Sequence, residues 1–326
     1  MFSKAPLVLA FIGALSSVSA TPLGPDRTGY TFSTLTTVPG TKNLENIAMR
    51  SNSDFLVTST TSNVLHLIPS EDPKAVVSVA EFPALGLIGI AELDKDIFYL
   101  IGSNVSGLEV APGSNRVWRV GLTQFQSSNG AVRRPAHISL VADFPDAGLL
   151  NGMTKLDQHH LLLSDSQLGR VVKLDVRNGK YSTFSDDATL APLSTAEGHL
   201  GIGVNGVHVF DRKLYFTSLD QGLFASIDLA RPTDPAKIIV KDLVNTDDFA
   251  LTADGKTAFV ANNGAFTLTE VDIPGKTSRL INSTYLETAS SAAFSRGPQK
   301  VLYVTGAEST SENETIGRVA VGVPKH

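Results

Sequence analysis

Short apolar runs, each entered through a polar turn and ended by Ser, Thr, Asn or Gly, recur along the chain. Six copies align: "NIAMRSNSDFLVTS" from Asn46, "GIAELDKDIFYLIG" from Gly89, "NGMTKLDQHHLLLSD" from Asn151, "NGVHVFDRKLYFTS" from Asn205, "DFALTADGKTAFVAN" from Asp248 and "SAAFSRGPQKVLYVTG" from Ser291. Their starts lie 43, 62, 54, 43 and 43 residues apart. Each copy reads as a short strand, a turn and an apolar strand. A third strand follows, as in "NVLHLIP" (63–69), "RVVKLDV" (170–176) and "GRVAVGV" (317–323). No stretch sustains a helical period.

Six units of three or four strands at this interval predict an all-β, six-bladed β-propeller, each blade packing face to face on its neighbours. The longer second and third intervals carry insertions, among them 124–137 and 194–201. Residues 30–38, "YTFSTLTTV", precede the first copy, and the last copy ends near the C-terminus. The economical closure gives this N-terminal strand to the last blade as its outer strand. A single domain is expected over residues 21–326.

Residues 1–20, "MFSKAPLVLAFIGALSSVSA", combine Lys4, an apolar run and a Val-Ser-Ala ending. They read as a secretory signal peptide, with an apolar run too short to span a membrane. Sequons at Asn104, Asn282 and Asn313 are the matching glycosylation candidates. The expected location is the secretory pathway or the cell exterior. The chain has no cysteine, which removes thiolate metal sites and cysteine nucleophiles. A net charge of −5 and the lack of a basic stripe argue against nucleic acid as partner. No pattern encodes an oligomeric state.

Gly201, Gly203 and Gly206 spell G-x-G-x-x-G, but the residues that follow read as strand, turn, strand, so no helix N-terminus is available for a dinucleotide. The segment is a blade entry whose glycines are read as turn residues. The residues opening the six copies, Asn46, Gly89, Asn151, Asn205, Asp248 and Ser291, are expected to ring one channel mouth. Strand alternation points Asp248 inward and Asp247 away. His208 is the histidine best placed for chemistry. His159, His160, His199, His66 and His137 read as turn, loop or strand residues, and none has zinc-site spacing. Trp118 reads as blade packing, and 185–187 as a solvated turn.

"LENIAMRSNSDFLVTS", "LLNGMTKLDQHHLLLSDSQLGRVVKLD", "VNGVHVFDRKLYFTS" and "DDFALTADGKTAFVANN" resemble blades of the SMP-30/gluconolactonase-like propellers, particularly their secreted fungal branch. The resemblance covers essentially the whole chain beyond the leader. Its lactonase members hold one divalent cation (calcium, zinc or manganese) on a Glu, two Asn and an Asp. By motif these are Glu45 or Asn46, Asn151, Asn205 and Asp248. Here the chain departs from the pattern, because counting places Asn46, not Glu45, level with Asn205 and Asp248. A single carboxylate would make a weak site for a hard cation. The branch also resembles fungal hetero-Diels–Alderases of natural-product biosynthesis, which implies a cofactor-independent cyclase. Such an enzyme joins a quinone-methide-type diene, for example tropolone-derived, to an apolar alkene or terpene. On that reading Asn46, Asn151, Asn205 and Ser291 bind a small apolar polyketide–terpenoid substrate, and Asp248, His208 and Asn205 carry the chemistry. The alternatives are a metal-dependent lactone or ester hydrolase and a non-catalytic ligand-binding propeller.

Overall fold

The computed structural model describes residues 29–296, 301–310 and 314–324. The expected leader and the sequon at Asn313 lie outside them. Six four-stranded antiparallel sheets form the body. Their inner strands are Ile47–Met49, Gly86–Asp94, Leu150–Lys155, Val204–Phe210, Thr246–Leu251 and Ser291–Phe294, in blades 1 to 6. Each inner strand touches the next, and the sixth touches the first, so the ring is closed. The chain is a six-bladed β-propeller. Tyr30–Val38 pairs antiparallel with Thr315–Pro324 as the outer strand of blade 6, the closure expected from the sequence. The insertion within 124–137 makes a small hairpin of Gln126–Ser128 and Ala131–Arg134, and Val105–Ser106 pairs with Glu109–Val110 in another.

The middles of the second strands are apolar because both faces of a blade are covered. Six core clusters occupy the six blade interfaces. In one, Leu162 and Val171 of blade 3 meet Val207, Leu214 and Phe216 of blade 4. Val38 and Val319 of blade 6 meet Ile47, Phe55 and Val57 of blade 1 across the closing interface. Trp118 packs edge-on against Phe82, as expected of a blade residue.

The polar endings of the second strands have a structural role of their own. Thr217, fully buried, accepts the Gly206 amide at 2.9 Å and donates to the Asp247 carbonyl of the next blade at 2.6 Å. Ser164 links the Gly152 amide (2.7 Å) to the Asn205 carbonyl (2.6 Å) in the same way. Thr58 links Asn46 to Ile88, and Thr305 links Ser291 to Glu45. In blade 5 Ala261 holds this position, and the Asp248 amide bonds the Ser290 carbonyl directly at 2.9 Å. In blade 2 Ile101 holds this position. Hydroxyls therefore tie inner strand to inner strand at four of the six blade interfaces.

The inner strands of blades 2 to 5 are bulged. The pairs 88–89, 151–152, 205–206 and 247–248 each oppose a single residue of the second strand. In blades 2 to 4 the neighbouring blade leaves no space for a side chain at the second bulge position, which is glycine in each. A Cβ on Gly206 would stand 2.7 Å from the Asp248 Cα, and one on Gly89 would stand 2.1 Å from the Asn151 carbonyl oxygen. Gly206 and Gly203 therefore answer to close approach, and the expectation of turn glycines holds only for Gly201, with φ +74°.

Candidate functional site

The bulges divide the predicted ring into two levels. Ile47, Val207, Phe249 and Met153 hold equivalent places in the pairing with their second strands. Counting back from them places Glu45, Asn151, Asn205 and Asp247 on one level and Asn46, Gly152, Gly206 and Asp248 on the next. Ser290 belongs to the first level and Ser291 to the second. The expected single register of Asn46, Asn151, Asn205 and Asp248 is thus corrected. Glu45 and Asp247 are the equivalents of the two asparagines. The physical reason is the extra residue of each bulge, which a count by simple alternation omits.

Asp248 is the centre of the second level. It is 4% exposed. One carboxylate oxygen accepts from Asn46 Nδ2 at 3.0 Å and from the Ser291 hydroxyl at 2.8 Å; the other meets His208 Nε2 at 2.9 Å. Residues from blades 1, 4 and 6 thus converge on a carboxylate of blade 5. Burial pushes the Asp248 carboxyl up, but the imidazole beside it, the Phe249 amide and the Ser291 hydroxyl together hold it below its ordinary value. His208 stands edge-on to Phe249 with ring centres 4.7 Å apart. With 34% of its side chain exposed, it is the member of this group that a ligand can reach.

The first level holds a pair of carboxylates, Glu45 and Asp247. Asp247 is 5% exposed, against the expectation that it points away. It accepts from Asn263 Nδ2 at 2.9 Å and from Asn205. Burial, then the charges of Glu45 and Asp248, hold its carboxyl well above the usual range. Glu45 is pushed up to about 7, first by burial and then by the charge of Asp248. Asn151 and Asn205, 8% and 4% exposed, complete this level. Below Asp248 the same strand face continues through Ala48, Ala91, Thr154, Ala250 and Ala293, small residues beside the single imidazole of His208.

Sequence reasoning missed Asp247 and Asn263. Asn263 sits in the turn after a second strand, where only its neighbour Asp247 gives it meaning. The segment 185–187 also departs from a solvated turn. Asp187 caps the short 3₁₀ turn Ala188–Leu190 through the Thr189 amide and bonds the Ala236 amide.

The opposite end of the channel is charged. A depression of about 500 Å³ there is lined by Ser51, Glu92, Asp94, Lys95, Lys155 and Arg296. Arg296 of blade 6 bonds the Met49 carbonyl and Glu92, and Lys155 of blade 3 bonds the Leu93 carbonyl at 2.5 Å. Arg50 and Asp96 pair at 2.9 Å. Side chains from four blades meet at this end, and Asp248 and its partners lie towards the other, where the loops enter the inner strands.

Among the described residues no three His, Asp or Glu side chains are grouped to hold a metal ion, and no helix is long and apolar enough to cross a membrane. No family model matches the chain. A curated protein of Phoma sp, named "Putative hetero-Diels-Alderase", is 26% identical over 345 aligned positions that cover 92% of this chain and 93% of that protein. A second, "Putative hetero-Diels-Alderase asR5" of Sarocladium schorii, is 27% identical over 201 positions, 55% of this chain and 49% of its own length. Among solved structures, a calcium-binding regucalcin from Agrobacterium tumefaciens superposes with a TM-score of 0.60 at 13% identity, covering 91% of this chain and 95% of that one. That likeness is one of fold.

Proposed function

We propose that the protein is a cyclase of the hetero-Diels–Alder type. The observation that carries the reading is the Asp248–His208 pair, braced by Asn46 and Ser291, at the mouth of a chain similar along nearly its whole length to a protein bearing that name. In the reaction a heterodiene of the quinone-methide type and an alkene form one C–C and one C–O bond. Two π bonds of the diene and one of the alkene are consumed, and a new π bond appears between them. Nothing leaves and no electron carrier is required. The protein's task is to hold two partners in one orientation and to place hydrogen-bond donors on the oxygen that gains charge. His208 through Nδ1, its Nε2 being turned to Asp248, or the amides of Asn46 and Asn205, suit that oxygen.

If the diene is made in place by loss of water from a hydroxymethyl precursor, the two levels divide the work. The precursor's acidic hydroxyl gives up its proton to the Asp248–His208 pair, and a protonated Glu45 donates to the departing hydroxide. Carboxyls pushed in opposite directions at one site supply acid and base together.

One observation favours a second reading. Glu45, Asn151, Asn205 and Asp247 share a level, and an all-oxygen set with two carboxylates suits a hard dication such as calcium or manganese better than zinc. Those four residues would hold it, and the ion would polarise a lactone carbonyl. The readings make opposite demands on Glu45, a proton carrier in the first and a carboxylate ligand in the second.

The test is turnover of a tropolone- or phenol-derived quinone-methide precursor with an unactivated alkene, read by chiral chromatography, with and without chelator. Enantioenriched dihydropyran that survives chelation supports the cyclase. Racemic product at the protein-free rate, together with cation-dependent lactone hydrolysis, replaces it with the hydrolase.

A further inference from the structure

The outer parts of blades 4 and 5 leave a small depression between them. About 190 Å³ in volume, it is lined by Lys241, Leu243 and Val244 from the loop that leaves blade 4, and by Thr269, Ser278 and Leu280 of blade 5. Val244 and Leu280 are 59% and 56% exposed, while Thr269 is buried. The loop is fixed from both sides. The Leu243 amide donates to the Gly222 carbonyl at 3.0 Å, and the Val244 carbonyl accepts from Asn262 Nδ2 at 2.7 Å. Leu243 packs into the blade interface that holds Phe224 and Val271.

Strand register brings one more residue to this place. Thr277–Asn282 pairs with Thr267–Asp272 without a bulge, Leu280 opposite Thr269 and Asn282 opposite Thr267. Side chains two residues apart share a strand face, so Asn282 stands beside Leu280 on the side of the depression. Ile281 between them is buried on the other side with Leu268. Thr267 in turn lies opposite Asn262, the residue that holds Val244, so Asn282 and Val244 sit at one height on the blade. Asn282 opens the sequon Asn282-Ser283-Thr284 and is exposed. Its side-chain amide makes no hydrogen bond to any described residue.

A free ligand finds little to bind here, because the clefts that hold one usually measure about 300–1,000 Å³. A group tethered at Asn282 needs far less contact, since the tether and not the solution sets its local concentration. A sugar ring has an apolar face and a rim of hydroxyls, which matches Val244 and Leu280 flanked by Lys241 and Ser278. We infer that this depression seats the first sugars of an N-linked glycan on Asn282. The host's transferase makes the bond: Asn282 Nδ2 displaces a lipid pyrophosphate from C1 of the oligosaccharide, an N–C bond replaces a C–O bond, and one amide proton leaves. The first N-acetylglucosamine then covers Val244 and Leu280 and joins the contact between blades 4 and 5. The seat rests on the secretory reading of the leader and is independent of the reaction at Asp248.

The experiment follows release of glycans by peptide N-glycosidase from the folded protein, secreted by a eukaryotic host, with each site read by glycopeptide mass spectrometry. Asn104, an exposed sequon on blade 2, is the internal reference. The Val244→Ser, Leu280→Thr variant changes only exposed side chains and should lose its Asn282 glycan about tenfold faster than the native protein, with the Asn104 rate the same in both. A second reading leaves the groove intact. Asn282→Gln should lower the melting temperature by about 2 °C, and Asn104→Gln should not change it. Equal Asn282 release from native protein and variant, or equal melting temperatures with and without the Asn282 glycan, overturns the seat. A bare Asn282 in protein glycosylated at Asn104 also overturns it and keeps the secretory reading. Both sites bare overturns the two together.

Discussion

Replacing Thr217 by Val changes one hydroxyl to a methyl at nearly constant volume, so it opens no cavity. The position is fully buried, and its hydroxyl both accepts the Gly206 amide and donates to the Asp247 carbonyl. Without it an N–H and a C=O are left unpaired in a site that water does not reach. Each such group costs about 1–3 kcal/mol, so Thr217→Val should lose about 4 kcal/mol. A protein of this size has an unfolding entropy near 0.6 kcal/mol/K, which converts that loss to a fall of about 7 °C in Tm. Urea unfolding followed by fluorescence, with calorimetry for Tm, reads both. Thr58→Val and Thr305→Val should behave alike, because they remove the same link at two other blade interfaces. A loss below about 1 kcal/mol at all three positions would refute the idea that the hydroxyl row joins the blades.

Gly206→Ala puts a Cβ 2.3 Å from Asp248 Oδ1 and 2.7 Å from its Cα, so the carboxylate must move. Overpacking costs about 1–3 kcal/mol, and cyclisation should fall far more than it does in the surface variant Lys213→Ala; unaltered turnover contradicts the close-packed mouth. His66 is 6% exposed with neither ring nitrogen bonded, and burial lowers it to about 4. Its folded pKa lies below the unfolded value of about 6.5, so its contribution is complete above pH 6.5 and is lost as pH falls towards 4, by about 3 kcal/mol. Glu45, raised to about 7, acts in the opposite sense between about pH 4.5 and 7. The measurement is therefore the pH dependence of stability in the native protein minus that in His66→Leu, and a flat difference contradicts the assignment. Asn104 and Asn282 are exposed. Expression in a eukaryotic secretory host should yield protein in the medium whose mass falls on endoglycosidase treatment and in the Asn104→Gln, Asn282→Gln variant.

The propeller was legible because each blade must repeat the same apolar strand between two neighbours, which leaves a period in the chain. The closing strand at 30–38 followed from the same need, since without it blade 6 would lack the outer strand that the other blades have. The register of the mouth was not legible. Asn205-Gly206 is written the same way whether it makes a turn or a bulge, and the choice depends on the next blade occupying the place of a Cβ. The hairpins between first and second strands also differ in length, so counting forward from Glu45 or Asp247 slips by one. Asp248, His208, Asn46 and Ser291 were each named from sequence and meet in space. Their partners Asp247 and Asn263 lacked any pattern to announce them until the bulge was placed.

The measurement that reaches the central claim most directly is the stereochemical outcome of cyclisation by the native protein and by Asp248→Asn, both freed of divalent cations. Asp248→Asn keeps the shape of the mouth but removes the charge that orders His208, Asn46 and Ser291. The account predicts one dominant dihydropyran enantiomer from the native protein without added metal, and a loss of rate of about a hundredfold or more in the variant. Equal, racemic product from both proteins would contradict it.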